Sequence, residues 1–161
     1  MCAVVLIYGI MTREEKFMKE ALKEASKAKL KDEVPIGCVI VKNDKIIARG
    51  HNTREKDHLV TSHCEINAIK KASKKLNDWQ LIDCELFVTL EPCPMCAGAI
   101  YQSRIKTVYY GAYDLKQGAL GSSFNLFAID SLNHHPSIQG GILEEECRTI
   151  IQNFFKEKRK K

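Results

Sequence analysis

A histidine, a carboxylate and two thiols, spaced as His63-x-Glu65 and then Pro92-Cys93-x-x-Cys96, constrain this 161-residue chain more than any other stretch. Cysteines three apart can both reach one tetrahedral Zn²⁺, and His63 supplies a third donor. Three protein ligands leave a fourth position for water, which is the pattern of a catalytic rather than a closed structural zinc. Any fold of this chain must therefore bring residues 63–65 against residues 93–96. The alternative is a four-ligand structural site that recruits Cys64 or Cys84. Glu65 would have no use in such a site.

The flanking sequence says how the two segments can be delivered. Thr12-x-x-Glu15 is a capping box, and Phe17, Met18, Ala21, Leu22 and Ala25 recur at helical spacing behind it, so a helix is expected over about 12–30. Residues 38–41 and 46–48 are short β-prone runs joined by the polar turn 42–45, which reads as a hairpin. Thr61 or Ser62 can cap a helix that carries His63 and Glu65 in its first turn. Residues two apart in a helix point about 200° apart. The pair therefore converges only if His63 stands at the helix entrance. The run 86–90 is a buried-type strand that delivers Cys93 at its C-terminal end. Pro94 suits the first position of a following helix, Met95 to Tyr101. Both thiols then lie near a helix N-terminus, where the dipole favours thiolates. The run 107–110 is the next strand, and a strand–helix–strand of this length implies a parallel crossover. Residues 111–141, rich in Gly, Ser, Asn and Asp, read as a functional loop. Leu143 to Lys158 reads as a last helix with Ile150, Ile151, Phe154 and Phe155 on its apolar side. The sum is an α/β protein of three layers, α/β/α, with a mixed central sheet flanked by helices. The metal sits where two helix N-termini meet.

Composition bounds the setting. A chain of this length buries one sizeable core. The seven cysteines, at 2, 38, 64, 84, 93, 96 and 147, are odd in number and irregular in spacing. That is no disulfide framework, so reduced thiols and a cytoplasmic location are expected. The formal net charge of +5 favours a polyanionic partner, and five basic residues crowd positions 156–161. They serve either as a solvated tail or as contacts to an RNA backbone. The apolar residues 1–10 are too short to span a bilayer and lack a secretory cleavage site. They are expected to be a disordered tip or a start-site extension ahead of a single domain over 11–161, and no membrane partner is expected.

Two thiolates cancel the metal's formal charge, so water there is acidified less than at a three-histidine site and needs a base beside it. Glu65 is placed to take the water proton and to deliver protons to a substrate ring nitrogen and a departing amine. A closed site should raise its pKa above the free value of about 4.3. The combined H-x-E and P-C-x-x-C pattern is the signature of zinc-dependent nucleobase deaminases. The reaction class is thus hydrolytic deamination of a ring, and the motif alone does not choose the base.

Further residues narrow it. Gly50-His-Asn52, Ser62-His-Cys-Glu-Ile66, Leu90-Glu-Pro-Cys-Pro-Met-Cys-Ala-Gly-Ala99, Ser103-Arg-Ile105, Gly111-Ala-Tyr-Asp-Leu-Lys116, Gly118-Ala-Leu-Gly-Ser122, Leu132-Asn-His134 and Phe154-Phe155 occur in this order. Over about residues 12–158 the chain resembles the bacterial tRNA-specific adenosine deaminases, which convert the wobble adenosine of an anticodon to inosine. The resemblance implies a cytidine-deaminase-like fold, with His63, Cys93 and Cys96 as ligands of one Zn²⁺ per subunit and Glu65 as proton shuttle. It implies that Asn52 and the backbone N–H of Cys64 meet the edge of the flipped base. Asp114, Asn133 and Phe155 would contact neighbouring nucleotides. It also implies a homodimer that binds the tRNA anticodon stem-loop from both subunits, with water adding at C6 and ammonia leaving. Cys64 departs from the family, which usually has Ala between the His and the Glu. The rival within enzymes is a deaminase of a free nucleobase or nucleotide (guanine, cytosine or a riboflavin precursor). A rival of another class is a non-catalytic, zinc-stabilised RNA-binding subunit, which would have no use for Glu65.

Overall fold

The computed structural model describes residues 9–161. Residues 1–8 of the expected N-terminal extension lie outside the described residues; Gly9 and Ile10 are exposed. Helix α1 spans Arg13–Leu30 and opens on Thr12, whose hydroxyl accepts the Glu15 N–H while Glu15 reaches back to the Thr12 N–H. The expected capping box is thus formed. Strands β1 (Gly37–Lys42) and β2 (Lys45–His51) pair antiparallel. Asn43 and Asp44 both take positive φ (51° and 60°), as the two central residues of a tight hairpin turn require. A short helix α2 (Arg54–Asp57) leads to α3 (Cys64–Leu76). Strand β3 (Glu85–Leu90), helix α4 (Pro94–Gln102) and strand β4 (Thr107–Ala112) form the expected parallel crossover. Strand β5 (Ser137–Gln139) and helix α5 (Glu144–Arg159) complete the chain.

The sheet runs β2-β1-β3-β4-β5, antiparallel across β1 and parallel from β3 to β5. Alternation along the strands sends side chains to two cores. Cys38, Ile40, Leu86, Val88 and Val108 pack with Ala68 and Ala72 of α3 and with Ala97 and Ile100 of α4. On the other face Val39, Val41 and Phe87 pack with Met18 and Ala21 of α1 and with Cys147 of α5. Phe87 is fully buried and stacks on Tyr109 at 4.6 Å. Such a side chain contributes about 1.5–3 kcal/mol by burial alone. Three layers with a mixed sheet follow, as expected.

Three expectations need correction. The α3 helix is capped by His63, not by Thr61 or Ser62. Ser62 instead turns its hydroxyl to Asp57. The segment 111–141 is not all loop: it contains the last two residues of β4, a 3-10 turn at Leu126–Ala128 and the edge strand β5. In α5, Phe154 is buried but Phe155 is 43% exposed, so the two do not share one apolar side.

One close approach fixes the site. A Cβ on Gly50 would stand 2.5 Å from the carbonyl oxygen of Cys64 and 2.8 Å from the nitrogen of Ala68. Only glycine lets β2 touch the backbone of α3, and that contact seats the first turn of α3 against the sheet.

Candidate metal centre and substrate cavity

His63 ends the preceding loop in an extended conformation (φ −79°, ψ 154°) and caps α3. Cys93 caps α4 in the same way (φ −73°, ψ 172°), with Pro94 at the first helical position and Cys96 in the first turn. The two helix entrances meet. His63 Nδ1 lies 3.6 Å from Sγ of both Cys93 and Cys96. Tetrahedral Zn–S and Zn–N bonds of about 2.3 and 2.0–2.1 Å would set nitrogen and sulfur about 3.5 Å apart, so the spacing fits a metal. Among the described residues these three are the group whose donor atoms could hold a metal ion. The local electrostatics favour a thiolate at Cys93. A hydrogen bond from Cys96 and, against burial, another from His63 pull the Cys93 thiol down to about 4. Cys96, bonded to Cys93 and buried, is pushed up in exchange.

Glu65 follows on the first turn of α3 and is 4% exposed. Its Oε2 accepts from the thiols of Cys96 and Cys64, each at 3.3 Å. Burial pushes its carboxyl above the ordinary glutamate value. Cys64 does not join the donor group, nor does Cys84. Burial pushes the Cys64 thiol well up, so it stays protonated and donates to Glu65.

A cavity of about 560 Å³ opens over this centre, and Asn52, His63, Glu65, Cys93, Asp114 and Phe155 all line it. Asn52 is nearly buried, and its Oδ1 accepts the backbone N–H of Cys64 at 2.8 Å. The two groups expected to meet a base are thus bonded to each other, and the amide NH₂ of Asn52 is what remains for a ligand. Asp114 Oδ1 accepts the N–H groups of Lys116 and Gln117, so it also shapes its own turn. Asn133 is the exception. It is exposed, lies outside this cavity and accepts the Tyr101 hydroxyl at 2.8 Å.

Two lining carboxylates were missed in the sequence. Glu91, 2% exposed, accepts the N–H groups of Leu120 and Ser122 at 3.1 Å and of Asp114 at 3.4 Å, together with the Ser122 hydroxyl. It ties the loop 113–122 to the turn that carries Cys93. A Cβ on Gly118 would stand 2.3 Å from Glu91 Oε2. Glu33, equally buried, accepts the N–H groups of Glu55 and Lys56 and holds the start of α2. The signal for Glu91 is a carboxylate directly after the buried-type strand 86–90. Glu33 sits in a charged stretch and gave none.

A family model for MafB19-like deaminases matches residues 12–159. The chain belongs to the MafB19-like deaminase family. A tRNA-specific adenosine deaminase of Bacillus subtilis (strain 168) is 50% identical over 151 residues, which cover 94% of each chain. A solved structure from work on A-to-I editing by tRNA:A34 deaminases at the wobble position of transfer RNA superposes with a TM-score of 0.81. It is 43% identical, covering 84% of this chain and 98% of that one. A guanine deaminase from Bacillus subtilis is 45% identical but aligns over 62% of this deaminase and 64% of its own chain, with a TM-score of 0.60. The resemblance to tRNA-specific adenosine deaminases therefore runs through nearly the whole described chain, whereas the likeness to the guanine deaminase is partial. No helix among the described residues of this deaminase is long and apolar enough to cross a membrane.

Proposed function

We propose that this chain hydrolyses adenosine to inosine at the wobble position of a tRNA anticodon, releasing ammonia. The observation that carries the reading is the buried Glu65 carboxylate set 3.3 Å from Cys96 Sγ, beside a donor trio that fits a metal and under a cavity that also holds Asn52. A non-catalytic metal site would have no reason to bury that carboxylate.

Zn²⁺ held by His63, Cys93 and Cys96 would supply Lewis-acid activation of a water molecule. The remaining work falls to the chain. Glu65, with its pKa raised by burial, takes a proton from that water and delivers it to N1 of the adenine ring as oxygen adds at C6. It then carries the second proton to the exocyclic nitrogen. The C6–N6 bond breaks, NH₃ leaves, and the ring is inosine; one water is consumed. The Asn52 amide orients the base edge. Phe155, exposed on the cavity rim, offers a face for a neighbouring base, and Asp114 a carboxylate for a sugar or base. An anticodon loop presents unpaired bases, so extruding one costs little.

Asn133 serves the reading through a homodimer, in which one copy's exposed loop would reach the anticodon held by the other. A reducing cytoplasm fits six described cysteines that are all unpaired.

The test is incubation of zinc-loaded protein with a tRNA bearing a wobble adenosine, followed by digestion and assay for inosine, beside tubes of free adenosine, cytidine and guanine. Inosine in the tRNA tube alone is expected. Ammonia from a free base with a silent tRNA tube would keep the zinc chemistry and overturn the substrate.

A further inference from the structure

We infer that Glu24 of α1 and His51 of β2 form a positioning pair, which fixes Asn52 at the cavity from the opposite face of the sheet. The inference rests on the reading of Asn52 as a base contact.

The end of β2 alternates strictly. Ala48 and Gly50 face α3: Ala48 joins the core that contains Cys64 and Ala68, and Gly50 abuts the backbone of both. Asn52 continues that face and holds the Cys64 N–H. Arg49 and His51 face α1. Arg49 Nη1 pairs with Glu20 at 2.8 Å, and His51 Nδ1 meets Glu24 Oε2 at 3.1 Å. Glu20 and Glu24 are one helical turn apart, and Arg49 and His51 are two strand residues apart, so helix and strand run in register. Arg49 is partly exposed, whereas the Glu24 side chain is 3% exposed and that of His51 is 14% exposed.

His51 is the last residue of the strand, and Asn52 is the next along the chain. Their backbone is pinned on both sides. The Asn52 N–H donates to the Ile36 carbonyl at 3.2 Å, and the His51 carbonyl accepts from Asn67 Nδ2 at 2.9 Å. The His51 ring, held by Glu24, adds a third anchor to this stretch from the α1 side. A carboxylate only accepts, so Nδ1 carries the proton toward Glu24. The other ring nitrogen, Nε2, is buried with no hydrogen-bond partner. A leucine would fill the space without orphaning a polar atom. The ring is therefore justified by its Nδ1 contact and not by packing. Glu24 is held in turn by Lys27 Nζ at 2.7 Å. The chain of contacts is Lys27–Glu24–His51, one peptide bond, then Asn52 and the N–H of Cys64, between the ligand His63 and Glu65.

The experiment compares His51→Leu, His51→Asn, Glu24→Gln and Asn52→Ala in the zinc-loaded protein, with zinc content measured for each. The substrate is an anticodon stem-loop carrying a wobble adenosine. Removing an interaction present in ground and transition states raises KM and leaves kcat in place. His51→Leu and Glu24→Gln are expected to raise KM about fivefold to tenfold with kcat within twofold, a loss comparable with one misaligned hydrogen bond. His51→Asn, whose side-chain nitrogen reproduces the Nδ1 donor, is expected to restore KM. In an Asn52→Ala background His51→Leu should add nothing further, because the group it positions is gone. Amide exchange at Cys64 should quicken in His51→Leu. Three outcomes overturn the pair's role: an unchanged KM in His51→Leu while Asn52→Ala shifts it, a further KM loss in the double variant equal to that in the single, or a failure of His51→Asn to rescue. A wild-type KM for Asn52→Ala overturns the base-contact reading itself, and the pair's role falls with it.

Discussion

Asn52 commits its side-chain carbonyl to the backbone N–H of Cys64 at 2.8 Å, and so joins the end of β2 to the entrance of α3. Only the amide NH₂ is left to meet a substrate. Asn52→Asp keeps the acceptor for Cys64 and replaces that donor with an anion. The expected outcome is a folded, metal-loaded protein whose KM for the stem-loop rises at least about tenfold, in line with about 1–3 kcal/mol for a polar partner left unmatched. Steady-state kinetics beside metal analysis check it.

Glu65 is assigned the proton transfers. Glu65→Ala should retain zinc and stem-loop binding and lose at least about a hundredfold in kcat, within the usual range for a positioned acid–base group. Comparable turnover in this variant would sink the mechanism.

Cys64 sits between two assigned residues yet points its thiol at Glu65 Oε2 and not into the donor trio. Cys64→Ala should leave zinc at one per chain and activity within a few-fold of the parent, whereas Cys93→Ala should lose the metal. Zinc loss from Cys64→Ala would revive the four-ligand structural site.

Acid stability should report on Glu24. Burial raises its carboxyl pKa, but hydrogen bonds from Lys27 and His51 outweigh burial and hold it below the ordinary 4.5. The folded state thus binds this proton less readily than the unfolded chain. The stability gained is present above about pH 4.5 and is lost as pH falls through the folded value. In urea melts from about pH 7 to about pH 3, Glu24→Gln should be less stable at neutral pH, and the gap should close on the acid side. A gap that widens on acidification would contradict the assigned direction.

Glu91 anchors the loop 113–122 through three main-chain N–H groups. Glu91→Ala leaves the buried N–H of Leu120 without its acceptor. A stability loss of at least about 2 kcal/mol is expected, given about 1–3 kcal/mol per unsatisfied buried group. Early proteolytic cleavage within 113–122 should accompany it.

The meeting of His63, Cys93 and Cys96 was legible because it depends on local geometry. The Cys93-x-x-Cys96 spacing and Pro94 at the first helical position together fix which atoms meet, and the requirement that His63 stand at a helix entrance was met by His63 itself becoming the cap. The helices and the hairpin were legible for a similar reason: periodicity and turn chemistry act within a few residues. What escaped depends on distant partners. Strand β5 carries one apolar residue, Ile138, and exists through its pairing with β4. Phe155 shares an aromatic pair with Phe154 in sequence, yet only the seating of α5 beside the end of α1 and the turn after it decides which ring is buried. The buried roles of Glu33 and Glu91 consist of hydrogen bonds to backbone groups 22 to 31 residues away. A carboxylate that reads main-chain N–H groups leaves no complementary letter in the sequence.

The Glu91 anchor carries an evolutionary consequence. It grips the loop 113–122 by its main chain and the Ser122 hydroxyl, and it requires only that Gly118 stay bare. The exposed side chains of Leu115 and Lys116 bear none of that grip. They are free to be exchanged while the loop keeps its shape and the metal turn stays undisturbed. A protein so built can drift toward new nucleic-acid contexts by rewriting the rim, with its hydrolytic chemistry inherited intact.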